Sequence, residues 1–254
     1  MSSAPEFETL TVAADGRIGR LTLNQPNNLN PLGNDTLHEL VEAASWLDST
    51  DVPIAVVTGE GRAFTAGFDL RQFGDKDGAG AQLGRAMAEA VESMSALTIA
   101  AIKGPCIGGG VVLASACDIR IAADDTTFVI PEVDLGIPLT WGGIPRLVRL
   151  IGPAMTNELV LTCRPFDPAE AKEIGFVNRV VPRDELEATV DEMADLLAAK
   201  APSVVTATKR QVAEALDEMA STRGSWADAT LMEAALADPE AREAARKYLE
   251  SHRR

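Results

Sequence analysis

Ile99–Pro138 reads IAAIKGPCIGGGVVLASACDIRIAADDTTFVIPEVDLGIP. The apolar run Ile99–Ile102 is a short buried strand, and it runs into Gly104-Pro-Cys-Ile-Gly-Gly-Gly. Val111–Cys117 then predicts a buried helix, followed by short strands over Ile119–Ala122 and Phe128–Ile130. Strand–helix alternation of this kind means an α/β fold with parallel strands.

Working outward, residues 7–14 and 16–24 alternate roughly with period two, and Asp15-Gly16 between them signals a hairpin. Asn24–Pro31 is a loop. Asn34 or Asp35 is expected to cap a helix through Leu47, with Leu37, Leu40, Val41 and Ala44 on one face. Ile54–Thr58 is a buried strand, Gly59–Gly61 a turn, Arg62–Leu70 a loop of small residues, and Gly74–Gly80 a surface loop expected to shape the pocket. Ala81–Leu97 predicts a helix with Leu83, Met87, Val91 and Met94 in a stripe. Beyond Pro182 the pattern is almost wholly helical. The acidic run from Asp184 to Asp195 reads as a solvated helix face, as do Lys209 and Arg210. Pro202 marks the start of a separate helical region, so the expected division is a core over 1–198 and a helical region over 199–254.

The 254 residues carry 23 Lys and Arg against 38 Asp and Glu, a net charge of −15, which argues against nucleic acid or an anionic membrane as partner. The two histidines exclude a three-His zinc site, and any catalytic imidazole must be His38 or His252. His38 reads as a surface residue. Cys106, Cys117 and Cys163 form no CxxC pair, so neither a disulfide framework nor a metal site is expected. The polar N-terminus has no apolar h-region, and Ile107–Cys117 is too short to span a bilayer, so the expected location is cytoplasmic.

Chemistry therefore rests on carboxylates and backbone groups. Gly108-Gly109-Gly110 opens a helix, where glycine admits close approach to the backbone and the first N–H groups are free. A second strand-to-helix loop, Phe64-Thr-Ala-Gly-Phe-Asp-Leu70, has the same character. Two such loops can aim two N–H donors at one oxygen; singly, each reads as a tight turn. Glu132 stands between an apolar strand and an apolar loop, where a carboxyl is either perturbed or merely solvated. Asp134 carries the same two readings.

Taken together, these stretches closely resemble the enoyl-CoA hydratase/isomerase (crotonase) superfamily. The resemblance rests on Ile99–Pro138, on AFTAGFDL at 63–70, on LNQPNNLNPL at 23–32 and on AKEIGFVNRVVP at 171–182. It implies a crotonase-like spiral of ββα units with C-terminal helices that pack subunits into a homotrimer or homohexamer. It also implies acyl-CoA thioesters as substrates, with no separate cofactor. It places Phe68 and Gly109 at the two oxyanion positions, acting through backbone N–H, and Glu132 as the carboxylate of the PE motif. Substrate or CoA contacts are implied for Ala66, Asp69, Leu70, Arg71 and Gly108 along the two loops, and for Thr140 and Trp141 beyond Glu132. Arg71 is a candidate for a CoA phosphate. At the C-terminal end, which also reaches CoA in this family, the usual Lys is Ser251, and His252, Arg253 and Arg254 either substitute for it or form a basic tail.

Val112 is where the chain departs from the family. Hydratases carry a first Glu two residues past the last glycine of the triplet, and here that residue is Val112. Hydration needs a water held and deprotonated plus a proton delivered at the neighbouring carbon; a proton shift needs one carboxylate. The resemblance thus favours Δ3 to Δ2 enoyl-CoA isomerisation. Hydratase activity stays open if Asp134 or Thr140 places the water, as does a non-catalytic acyl-CoA-binding subunit. Thr140 stands where some members have a catalytic Asp, which disfavours dienoyl isomerase and dehalogenase chemistry. Trp141 either lines the acyl pocket or packs the core.

Overall fold

The computed structural model describes residues 3–72 and 79–251. β1 (Leu10–Asp15) and β2 (Ile18–Leu23) form the expected hairpin, turning at Gly16 with φ +56. β3 (Ile54–Gly59), β4 (Leu97–Ile102), β6 (Ile119–Ala123) and β8 (Arg179–Val181) continue the sheet in the order β1-β2-β3-β4-β6-β8, parallel from β2 onward. A second layer is built from shorter pieces. Leu32 bridges Phe68, Thr65 bridges Cys106, β5 (Pro105–Ile107) pairs β7 (Thr127–Val129), and Phe128 bridges Phe166. Each turn of chain therefore contributes a long strand to one layer, a short one to the other, and then a helix. This is the spiral of ββα units.

The central strands β3, β4 and β6 are buried on both faces because both are covered, whereas the edge strand β1 leaves alternate residues exposed. From β3, Ala55 and Val57 face the large core under α1 (Asn34–Ser49), α2 (Ala79–Ser93), α3 (Gly109–Ala116) and α4 (Gly143–Thr162). Ile54 and Val56 face the opposite side. There α6 (Leu186–Ala198) buries Leu186, Val190, Ala194 and Ala198 at four-residue spacing and turns its acidic residues outward. One of these, Asp191, pairs with Arg20 at 2.6 Å. Between them run α5 (Pro168–Glu173) and, after α6, the helices α7 (Pro202–Met219), α8 (Asp228–Ala237) and α9 (Pro239–Ser251).

Three expectations need correction. Neither Asn34 nor Asp35 caps α1: the N-cap is Gly33, and Gln72 Oε1 accepts the Asn34 N–H at 2.9 Å, a long-range substitute that local pattern does not reveal. The second helix stops at Ser93 rather than Leu97, because Asp48 Oδ1 accepts from the N–H and hydroxyl of Ser95 and Leu97 already pairs in β4. Lys209 is buried, not solvated, although Arg210 beside it is exposed. Its Nζ donates to Ala96 O and pairs with Asp118 Oδ2, both at 2.8 Å. The same carboxylate oxygen accepts from Thr98 N–H (2.7 Å) and hydroxyl (2.8 Å), so Asp118 ties α7 to the sheet. Asp118→Ala is therefore expected to lower stability by about 2 kcal/mol in urea unfolding, since it strands a buried ammonium and an amide. Lys209→Met, which keeps the apolar stem, is expected to cost less. Equal losses would contradict this. Among the described residues, no helix is long and apolar enough to cross a membrane. Residues 74–78 of the expected pocket loop and residues 252–254 of the basic tail lie outside the described residues, while Ala79 and Gly80, expected as loop, are the first residues of α2.

Candidate active site

The second layer of the spiral brings the two glycine-bearing loops side by side. Leu32 N–H donates to Gly67 O (2.8 Å) and Asp69 N–H donates to Leu32 O (3.4 Å). In a parallel bridge of this kind the residue between those two bonds, Phe68, turns its own N–H away from the partner strand. Among the described residues the Phe68 N–H has no backbone acceptor. Gly109 is the first residue of α3, so its N–H has no acceptor within the helix either. The loops touch: a Cβ on Gly67 would stand 2.5 Å from Ile107 O and 3.7 Å from Gly109 N. With φ +83 at Gly67, only glycine serves there without strain.

Each glycine of the triplet has a different neighbour. A Cβ on Gly108 would meet Glu132 Oε1 at 2.5 Å, one on Gly109 would overlap the Trp141 indole, and one on Gly110 would meet the Thr65 methyl at 2.5 Å. The triplet is thus the floor on which a carboxyl, an indole and the first loop all rest.

Glu132 follows β7 and heads the tight segment 131–137, closed by Leu135 N–H to Pro131 O and Ile137 N–H to Glu132 O. Its Oε2 is buried without a hydrogen-bond partner. Burial of the carboxyl pushes its pKa up to about 7, against a partial lowering by its own backbone N–H. A carboxyl poised near neutrality both accepts and returns a proton.

These groups open onto one cavity of about 170 Å³. Ala66, Phe68, Leu70, Gly108, Gly109, Val112, Glu132, Thr140 and Trp141 all line it. Val112 is almost wholly buried, and Glu132 is the sole acidic side chain among the described lining residues. The structure brings neither Asp69 nor Arg71 to the cavity wall. They pair with each other, Arg71 Nε and Nη2 donating to the two oxygens of Asp69, and the guanidinium holds that carboxyl below its usual range. Part of the wall escaped the reading of the sequence. Asn34 lines the cavity from α1 and Gln72 from the short 3-10 turn Leu70–Gln72 that follows the 64–70 loop, and Met232, Leu236 and Tyr248 line it from α8 and α9. The four-residue spacing of Met232 and Leu236 on one helix face was the available signal. α9 sits directly on the Glu132 segment, where a Cβ on Gly136 (φ +70) would overlap the backbone of Ala241.

The family model described as enoyl-CoA hydratase/isomerase matches residues 14–254. A Mycobacterium bovis protein named "probable enoyl-CoA hydratase" is 38% identical over 219 residues, covering 84% of this chain and 85% of that one. A peroxisomal Delta(3,5)-Delta(2,4)-dienoyl-CoA isomerase of Arabidopsis thaliana is 37% identical over 227 residues, with 82% of each chain covered. Among solved structures, a monofunctional enoyl-CoA isomerase from M. smegmatis superposes with a TM-score of 0.71 at 31% identity, covering 82% of this chain and 94% of that one.

Proposed function

Because this chain belongs to the enoyl-CoA hydratase/isomerase family and is an enzyme of the crotonase superfamily, we propose that it moves a double bond along an acyl-CoA thioester, converting a 3-enoyl-CoA into the conjugated 2-enoyl-CoA. The observation that carries this reading is the pairing of Val112 with Glu132: one carboxyl in the cavity, where hydration calls for two. Ionised Glu132 removes a proton from C2, breaking that C–H bond. The electron pair passes onto the thioester oxygen, giving an enolate. The N–H groups of Phe68 and Gly109 form the oxyanion hole, each good donor contributing roughly 3 kcal/mol to the transition state. Collapse of the enolate shifts the double bond from C3=C4 to C2=C3, and Glu132 returns the proton at C4. The buried, partnerless Oε2 suits this role, because a proton taken there has no protein acceptor to leave for.

Thr140 favours a second reading, 2-enoyl-CoA hydration, since it lines the same cavity and carries a hydroxyl that can hold water. The exposed apolar side chains Val204, Val212, Met219, Trp226 and Leu231 on the C-terminal region suit packing against further copies of the chain, in a trimer or hexamer. One assay separates the readings. The protein is given a 3-enoyl-CoA and, separately, a 2-enoyl-CoA, and conjugation and hydration are followed by ultraviolet absorbance. Conjugation without hydration is the expected result. Hydration at a comparable rate sinks the isomerase reading, and silence in both with measurable thioester binding indicates a binding subunit.

A further inference from the structure

Trp141 and Gly142 lie consecutively in the left-handed region, with φ +62 and +67. For a residue as bulky as tryptophan this costs about 1–2 kcal/mol, and such a conformation persists only where the surroundings impose it. Here they do. Arg146, 1% exposed, donates from Nη1 to Trp141 O (3.0 Å) and Gly142 O (3.1 Å). Its Nη2 is fixed by Glu92 Oε2 at 2.5 Å, and Glu92 Oε1 is shared with Arg149 at 2.8 Å. From the other side Asp228 Oδ2 accepts the Gly142 N–H at 2.8 Å. Groups from α2, α4 and α8 thus converge on two residues of backbone.

A turn alone does not need an indole. The ring of Trp141 fills a slot whose two sides are glycines: a Cβ on Gly84 of α2 or on Gly109 of α3 would overlap it. Its edge meets the Phe68 ring at 6.2 Å and 77°, and it forms part of the cavity wall. Removing the ring therefore extends the cavity toward Gly84 and the apolar face of α2. We propose that Trp141 is the stop that limits this site to short acyl chains, and that Arg146 is the positioning residue that holds the stop in place. The proposal rests on reading the cavity as an acyl-CoA site.

Saturated thioesters test it without chemistry. Butanoyl-, octanoyl- and dodecanoyl-CoA are titrated calorimetrically into the full-length wild type and into Trp141→Ala. In the wild type, affinity is expected not to rise beyond the short chains. In Trp141→Ala the ratio of octanoyl to butanoyl affinity is expected to rise by roughly ten-fold or more, each methylene newly accommodated adding to it. Trp141→Leu, which keeps apolar bulk, gives the same direction with a smaller change and serves if the alanine variant does not fold. Arg146→Met is expected to shift the ratio the same way and Arg146→Lys to restore it in part, which a purely structural role would not do. An unchanged chain-length profile in the folded Trp141 variants overturns the proposal. A wild type that shows the length limit yet fails to isomerise refutes the reaction and upholds the stop. A wild type that binds no acyl-CoA refutes both.

Discussion

Glu132→Gln is expected to slow isomerisation of a 3-enoyl-CoA by roughly 10²–10⁴-fold, with thioester binding changed by no more than about two-fold. Glutamine preserves the shape of the side chain over Gly108 but accepts no proton. The wild type should lose rate as pH falls through about 7, where Glu132 takes up a proton and ceases to be a base. Stability should move in the opposite sense. The carboxyl titrates at 4.5 as an ordinary Glu and is pushed up to about 7 in the fold, so the folded chain holds the proton more tightly. That contribution is complete below pH 4.5 and is lost as pH rises through about 7, a change on the order of 3 kcal/mol. Glutamine has no charge to bury. Relative to wild type, Glu132→Gln should thus gain stability in urea between pH 4.5 and pH 8. A variant with wild-type turnover, or with no relative gain at pH 8, would remove Glu132 from the role assigned to it.

Gly67→Ala is expected to damage both fold and reaction. The new methyl group would need φ +83 and would press to 2.5 Å from Ile107 O, a backbone atom that cannot swing aside. The left-handed conformation costs about 1–2 kcal/mol and the overpacking about 1–3 kcal/mol more. The forced separation moves the Phe68 loop off the Gly109 loop, so the two N–H groups no longer converge on one oxygen. Isomerisation should fall by at least ~10²-fold in protein that still binds CoA esters, with the loss in kcat rather than KM. Gly16→Ala is the control: it has the same left-handed backbone (φ +56) but open space around it, so it should cost stability alone. If Gly67→Ala behaved like Gly16→Ala, the juxtaposition of the two loops would not matter to the chemistry.

Much of this was legible in the sequence because it is local. The glycine triplet opening α3, the small-residue loop at 63–70 and the Glu after β7 announce themselves by residue type and neighbours, and the apolar strands by their runs. The resemblance supplied their joint meaning. What stayed hidden depends on contacts far apart in the chain. Gln72 replaces a cap on α1, Asp118 draws Lys209 into the core, and α9 seats Tyr248 beside the segment that carries Glu132. Arg71, expected as a contact for a CoA phosphate, is paired two residues away with Asp69, a contact that spacing permits but does not dictate. Trp141 had two readings in the sequence, wall or core, and it is both: buried against two glycines and facing the cavity.

Under the proposed reaction one carboxyl handles both proton transfers, its buried Oε2 having no protein hydrogen-bond partner. This shuttle is tested most directly by following the proton. A 3-enoyl-CoA deuterated at C2 is converted in ordinary water, and the product is read by mass spectrometry and NMR for deuterium at C4. A single shuttling carboxyl predicts measurable transfer of the label from C2 to C4, abolished together with turnover in Glu132→Gln. Product formed at full rate with the label wholly lost to solvent, or a hydrated product in place of the conjugated one, would overturn this mechanism.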